Sequence, residues 1–284
     1  MYTILDKVQL TEGIFKIRIT APWVAKNWKP GQFVVLMVNE AGERIPLTIV
    51  DGNTDNGTIS LIFQVVGRTT ALLASKNAGE EVFSLLGPLG KPSEIKKFGN
   101  VIVVGGGVGV AEIFPQTKAL KSLGNYVIGV IGARTHRRLI FFEELKSICD
   151  EVHVCTDDGS YGYRGFVSDL LKDLLEENRT IDYVYAVGPV QMMKAVSELT
   201  RQRRIRTFVS ANPIMIDGTG MCGVCRVIVG GEIKFACIDG PDFDAHLLDF
   251  NTLDSRLKTY RQHEAEALEE FRRCKCDGWR ESFS

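Results

Sequence analysis

The chain has 284 residues, 45% hydrophobic and 24% charged, ordinary globular values that exclude a disordered or collagen-like polymer. Lys and Arg number 34 against 35 Asp and Glu, and this net charge of -1 leaves no global electrostatic footprint for nucleic acid or an anionic membrane. The length is about twice that of a common domain, so two or three domains are expected.

The amino-terminal stretch Met1-Tyr-Thr-Ile-Leu-Asp-Lys7 has no basic region followed by an apolar core, so no signal peptide is expected. Residues 1–97 read as antiparallel β structure. In Gly13-Ile-Phe15-Lys-Ile17-Arg-Ile19-Thr20 apolar and polar side chains alternate; Ile59, Leu61, Phe63 and Val65 repeat the period, broken by Ile62 on the other face. Turn signals at Lys29-Pro-Gly31, Asp51-Gly-Asn53 and Asp55-Asn-Gly57 separate the runs, a spacing that predicts a small barrel. Within it, Glu43-Arg44-Ile-Pro46-Leu47-Thr48-Ile49 offers a guanidinium for a phosphate and a hydroxyl for a heteroaromatic ring. Gly67-Arg68-Thr69-Thr70 offers a small residue and two hydroxyls at a helix start. Polar strand ends and helix caps produce the same sequences.

From Asn100 the rhythm changes to strand–helix alternation. Strand-type runs at Val101–Val104, Tyr126–Ile131, Val152–Cys155, Tyr183–Val187 and Thr207–Val209 flank helices such as Ala111–Leu123 and Pro189–Arg203. Met192, Val196 and Leu199 form the helical stripe of the latter. This is the pattern of a five-stranded parallel sheet wrapped by helices. Val101-Ile-Val-Val-Gly105-Gly-Gly107-Val-Gly109 runs a strand into a glycine turn and a helix, where a pyrophosphate could reach backbone amides; Val110 occupies the third GxGxxG position, and tight packing is the alternative. The run to Val110 holds four glycines and is too short to span a bilayer. Cys149 and Cys155 read as buried thiols, and Arg201–Arg206 as a cationic helix end.

After Asn212-Pro213 comes a cysteine- and glycine-rich stretch. Five of the 7 cysteines follow residue 220, which suits metal ligation in a reducing cytoplasm, the expected location, better than cross-linking. Asp217-Gly-Thr-Gly-Met-Cys222-Gly-Val-Cys225 with distant Cys237 has the plant-type 2Fe–2S spacing, with a carboxylate first and Gly218, Gly220 and Gly223 folding the loop closely. Zinc on three thiolates and a carboxylate, or reduced cysteines without metal, satisfy the same spacing. A last polar segment, Thr252–Arg273, carries Leu253, Leu257, Tyr260, Leu268 and Phe271 on one helical stripe. Cys274 and Cys276 read as a spare thiol pair. The expected division is 1–97, 98–210, 211–250 and 251–284.

The order of barrel with Arg-x-x-x-Thr, glycine-turn fold and cluster loop resembles the ferredoxin–NADP reductase superfamily, in the branch of dihydroorotate dehydrogenase electron-transfer subunits. The resemblance covers about residues 1–250. Glu43–Thr48, Gly105–Glu112 and Asp239–His246 are similar to the small subunits of electron-bifurcating NADH, ferredoxin and NADP oxidoreductases, also described as sulfide dehydrogenase subunits. Those subunits are similar in using an aspartate at the position of Asp217, whereas the dihydroorotate branch looks all-cysteine. The resemblance implies a FAD-binding barrel with contacts at Arg44, Pro46, Leu47, Thr48, Val65, Val66, Gly67, Thr69 and Thr70, with Thr48 near flavin N5 as the catalytic position. It implies a nicotinamide dinucleotide at Gly106, Gly107, Val108, Gly109, Arg134, Asp157, Gly188, Pro189 and Met192, and a 2Fe–2S cluster on Asp217, Cys222, Cys225 and Cys237. NAD(H) is the implied substrate, with Arg134, Arg137 and Arg138 leaving NADP(H) open. The implied partner is a larger flavin and iron–sulfur subunit in a heterodimer, with ferredoxin reached through that complex and neither nucleic acid nor membrane involved. Leu47 and Val187 replace an aromatic and a cysteine that relatives often carry. The rival expectations are a dihydroorotate dehydrogenase subunit and a zinc-stabilised, non-catalytic binding module.

Overall fold

The computed structural model describes residues 2–177 and 179–281, excepting the side chains of 274–281, so Cys274 and Cys276 lie outside the described side chains. The first sheet is built from β1 (Tyr2–Thr11), β2 (Ile14–Thr20), β3 (Phe33–Met37), β4 (Arg44–Asn53), β5 (Thr58–Gln64), β6 (Glu81–Val82) and β7 (Ser84–Leu89), with α1 (Pro22–Asn27) and α2 (Arg68–Ser75) interposed. Its order is β6-β1-β2-β5-β4-β3-β7, antiparallel throughout. Only Phe83 separates the two edge strands, so one bent segment forms both edges and nearly closes the sheet into the expected barrel. The alternation read in the sequence fills the interior: Ile17, Ile19, Ile59 and Leu61 are each 0% exposed. At Asp55-Asn-Gly57, Asn53 Oδ1 accepts from the amides of Asp55 and Asn56, turning the chain so that Asn53 pairs with Thr58.

Ile62, which breaks that alternation, is buried as well. Together with Ile14 and Val50 it joins the core of the second sheet rather than that of the barrel. An apolar residue on the outward face of a barrel strand therefore marks where another layer docks.

The second sheet comes from β8 (Asn100–Gly106), α3 (Gly109–Ser122), β9 (Tyr126–Ala133), α4 (Phe142–Lys146), β10 (Glu151–Thr156), β11 (Tyr163–Arg164), α5 (Val167–Glu176), β12 (Tyr183–Val187), α6 (Val190–Gln202) and β13 (Arg206–Ser210). The five predicted strands lie parallel in the order β10-β9-β8-β12-β13. Two short strands extend the set to seven: β11 joins β10 in parallel, and β16 (Asp242–Asp244) joins β13 antiparallel. Two- and three-residue strands carry no periodicity of their own, and their places are set by the edges they meet. Between β16 and β13 lie β14 (Arg226–Val229) and β15 (Glu232–Phe235), a separate hairpin.

The single carboxy-terminal stripe is corrected. The segment forms α7 (Phe250–Leu257) and α8 (Arg261–Glu281), with Tyr260 in the break and 53% exposed. The helices face different neighbours, α7 packing on α6 and β14 and α8 on α2, so one straight stripe does not serve both. Among the described residues no helix is long and apolar enough to cross a membrane.

Candidate functional site

The sheet order reverses between β8 and β12, and loops leaving these strands part there in opposite directions. Such a switch point leaves a crevice beyond the strand ends. Here a groove of about 650 Å³ runs between that crevice and the barrel. Pro46, Leu47 and Thr48 of β4 and Val66 and Thr70 beside α2 form its barrel wall. Gly106–Gly109, Gly188 and Pro189 form the other. A second cavity of about 510 Å³ continues past Gly106 and Gly107 over β9 and β10, where Arg134, Asp157, Pro189 and Met192 line it. The two share the glycine turn, giving one extended trough for a long ligand.

The glycine turn serves both readings the sequence left open. A Cβ on Gly109 would stand 2.3 Å from the Val187 carbonyl oxygen and one on Gly105 2.8 Å from Val110 Cα, so these two glycines let α3 lie against the sheet. Gly107 differs: its φ is +60° and a Cβ there would meet nothing within 4 Å. It turns the chain and keeps the groove floor open.

Four predicted residues lie outside the groove lining. Gly67 starts α2, and its amide and that of Val66 donate to Thr70 Oγ1, each at 3.0 Å. Thr69 is buried and donates to Glu43 Oε2 at 2.6 Å, tying α2 to the start of β4. The Val65 amide donates to Gly13 O, extending the ladder between β2 and β5. Arg44, at the first position of β4, faces the cysteine loop, with Nη1 3.8 Å from Asp217 Oδ1. In the same cavity as Arg134, Arg138 stands 3.6 Å from Glu12.

Within the cysteine loop, Cys225 and Cys237 are buried with their sulfurs 3.2 Å apart and unbonded, while Cys222 is exposed. Burial and the adjoining Cys225 push the Cys237 thiol up to about 12, with Cys222 adding to the repulsion. Asp217 instead takes hydrogen bonds from Thr219, at its amide (2.9 Å) and its hydroxyl, which hold it below the usual carboxylate range. Among the described residues no three His, Cys, Asp or Glu stand gathered closely enough to hold a metal ion as they are. The donor chemistry nevertheless fits a cluster: two sulfurs in contact, a third three positions before Cys225 in the same loop, and a carboxylate that is already ionised. Gly218 (φ +83°) brings this loop against Val35 and Leu89 of the barrel.

The remaining candidates are structural. Burial pushes Cys149 and Cys155 up to about 12, so both are inert thiols. Arg201 at the end of α6 donates to His246 O, and Arg206 at the start of β13 pairs with Glu94, so both are spent on packing. Two acids escaped sequence reasoning. Glu112, in the first turn of α3, lines the groove with Thr48, and desolvation raises it to about 7 against the opposing influence of the Thr48 hydroxyl. Asp242 on β16 accepts from Ser93 Oγ (2.5 Å) and Tyr185 Oη (2.9 Å), and desolvation raises it to about 6. An acid in a helix's first turn is commonplace, and nothing local distinguished Glu112.

Residues 212–249 match the iron–sulfur cluster binding domain of dihydroorotate dehydrogenase B. Over 268 residues, 94% of each chain, the sequence is 47% identical to a Thermotoga maritima protein described as a homologue of the dihydroorotate dehydrogenase B (NAD(+)) electron transfer subunit. The chain belongs to the dihydroorotate dehydrogenase B electron-transfer-subunit family. The Geobacillus thermodenitrificans member of this family is 33% identical over 252 residues, 86% of this chain and 95% of that one. A solved structure described as giving insights into flavin-based electron bifurcation via NADH-dependent reduced ferredoxin–NADP oxidoreductase is 46% identical, with a TM-score of 0.90 over 95% of this chain and 98% of that one. Phthalate dioxygenase reductase shares the fold alone, at 16% identity and a TM-score of 0.57. As a family member the chain is an electron-transfer oxidoreductase subunit of the ferredoxin-reductase type, with FAD, a 2Fe–2S cluster and NAD(H) as its cofactor set. The reading as a non-catalytic zinc module falls away.

Proposed function

We propose that this chain is the NAD(H)-side subunit of an electron-bifurcating NADH, ferredoxin and NADP oxidoreductase, passing single electrons to a larger flavin and iron–sulfur partner. The observation that carries the wiring is the approach of Arg44 to Asp217: the first residue of the groove-lining strand faces the first position of the cysteine loop at 3.8 Å. In this reading the hydride acceptor and the one-electron relay occupy adjoining walls. The 46% identity to the bifurcating enzyme's chain over nearly all its length, and Asp217 in place of a fourth cysteine, favour this partner over a dihydroorotate dehydrogenase.

Residues 1–97 hold the flavin in this reading, 98–210 the dinucleotide, 211–250 the cluster and 251–284 the carboxy-terminal helix. Pro46 and Leu47 pack against the ring, Thr48 presents its hydroxyl to it, and Arg44 with the α2 start at Gly67 and Thr70 neutralises the diphosphate. Gly106–Gly109 let the nicotinamide approach, while Gly188, Pro189 and Met192 wall the trough. Asp157 faces the far ribose, where a carboxylate accepts from a diol and repels a 2′-phosphate, hence NAD(H). Asp217, Cys222, Cys225 and Cys237 hold the cluster. When bound, flavin turns hydride transfer into one-electron steps and the cluster carries them onward.

Anaerobic purification of the native complex, with counts of flavin, iron and chains and an assay of the partner, tests this reading. Reduction of NADP that draws on NADH and reduced ferredoxin together is expected. Oxidation of dihydroorotate by the co-purified partner would overturn the assignment.

A further inference from the structure

A nicotinamide surrenders a hydride, whereas a cluster accepts electrons singly and takes no proton. In the function proposed above, NADH becomes NAD+, one proton and two electrons. The electrons leave through the cysteine loop. One proton per turnover is left at the ring nitrogen beside Thr48, and a group of this chain has to take it.

Among the described residues lining the groove, the ionisable side chains are Glu112, Asp254 and Arg261. Asp254 is already paired with Lys258 at the mouth, and Arg261 carries no free base. Glu112 is half-buried at the groove wall that it shares with Thr48, whose hydroxyl favours its charged form. We infer that Glu112 is the proton acceptor of the groove, taking up through Thr48 the proton each hydride leaves behind and releasing it to water between turnovers. The transfer balances: the N–H bond at the ring breaks as a new bond forms to Thr48 Oγ1. The original hydroxyl proton of Thr48 passes to a Glu112 carboxylate oxygen, and the two electrons depart separately.

The surroundings suit that task. From β4, the Thr48 hydroxyl lines the same groove and steadies the charged form of the carboxylate. From β16, Asp242 presents a like charge that opposes it, itself bound by Ser93 and by Tyr185 of β12. On α3 the Gln116 amide lies 3.1 Å from the same Tyr185 hydroxyl and bridges the two acids' surroundings. No basic side chain contributes. Desolvation, reinforced by Asp242 and opposed by Thr48, leaves Glu112 near 7, where it binds and releases a proton with little cost in either direction.

The inference rests on the flavin and cluster of the proposed function, and the test separates the two. The native complex is prepared anaerobically as wild type, Glu112→Gln and Glu112→Asp, and its flavin and iron are counted. Infrared difference spectra are recorded on NADH addition, together with the pH dependence of the flavin midpoint and of NADH-driven cluster reduction. Glu112→Gln is expected to keep flavin and iron, to lose a carboxylic C=O band and the inflection near pH 7, and to slow cluster reduction at least tenfold after an unimpaired hydride step. Glu112→Asp is expected to retain both signatures, displaced. A wild-type band and pH profile in Glu112→Gln overturn the inference; should that variant fail to fold, undisplaced signatures in Glu112→Asp do the same. Wild-type complex without flavin overturns the proposed function instead.

Discussion

Replacing Gly109 and Gly107 one at a time by alanine separates packing from ligand binding in the glycine turn. At Gly109 the added methyl would sit 2.3 Å from Val187 O and 2.7 Å from Val187 C, about an ångström inside ordinary contact, and both are backbone atoms of a central strand. Overpacking of this kind costs about 1–3 kcal/mol, and the rigidity of β12 places Gly109→Ala near the upper value, a drop of roughly 5–10 °C in Tm. At Gly107 the methyl meets nothing, so the cost is that of a left-handed conformation alone, about 1–2 kcal/mol. That methyl would rise from the groove floor shared by both cavities, so Gly107→Ala is expected to lose about tenfold in NADH affinity, roughly 1.4 kcal/mol. Thermal melts and calorimetric NADH titrations of the two variants measure these effects. Wild-type NADH affinity in Gly107→Ala, or a wild-type Tm in Gly109→Ala, would refute the division of labour.

Other consequences are open to measurement. Asp217→Cys is expected to keep a cluster, since three cysteines remain beside it, but to shift the midpoint in a potentiometric titration; an unchanged titration would count against ligation by the carboxylate. Asp157→Asn removes the charge that the proposed binding mode sets against the ribose, and the ratio of NADPH to NADH turnover is expected to rise about tenfold or more, by roughly the 1.4 kcal/mol of one repulsive contact. Glu112 and Asp242 both lie above their ordinary values in the folded chain, so folding binds protons; their stabilising effect is complete below about pH 4 and fades as pH rises through about 6 and then 7. Melts from pH 5 to 8 should therefore show Glu112→Gln gaining on wild type as pH rises, and parallel curves would contradict the sign.

Much of this was legible in the chain because the signals were local. Alternation from Gly13 to Thr20 and from Ile59 to Val65, the glycines after Val104, and the spacing of Asp217, Cys222 and Cys225 each occupy a short window with a defined period. What escaped depends on contacts between distant segments. Glu112 and Asp242 are 130 positions apart and acquire their character only when β16 settles beside α3. Ile62 looked like an interruption and proved to be the seat of the second layer. The approach of Arg44 to Asp217, in a loop 173 residues later, has no counterpart in the local pattern of its strand. The break at Tyr260 follows from α7 and α8 having different neighbours, which helical periodicity does not encode.

The edge strand β16 bears on modularity. Residues 212–249, matched as an iron–sulfur domain, include a strand whose ladder bonds are made with Phe208, Val209 and Ser210 of the preceding fold. Excised, that stretch would surrender those bonds, and the sheet it left would end on an uncovered edge. Grafting the cysteine-bearing lobe onto another reductase would therefore require transplanting the rim of the sheet with it, so this redox relay travels by inheritance with its nucleotide fold rather than as a detachable cartridge.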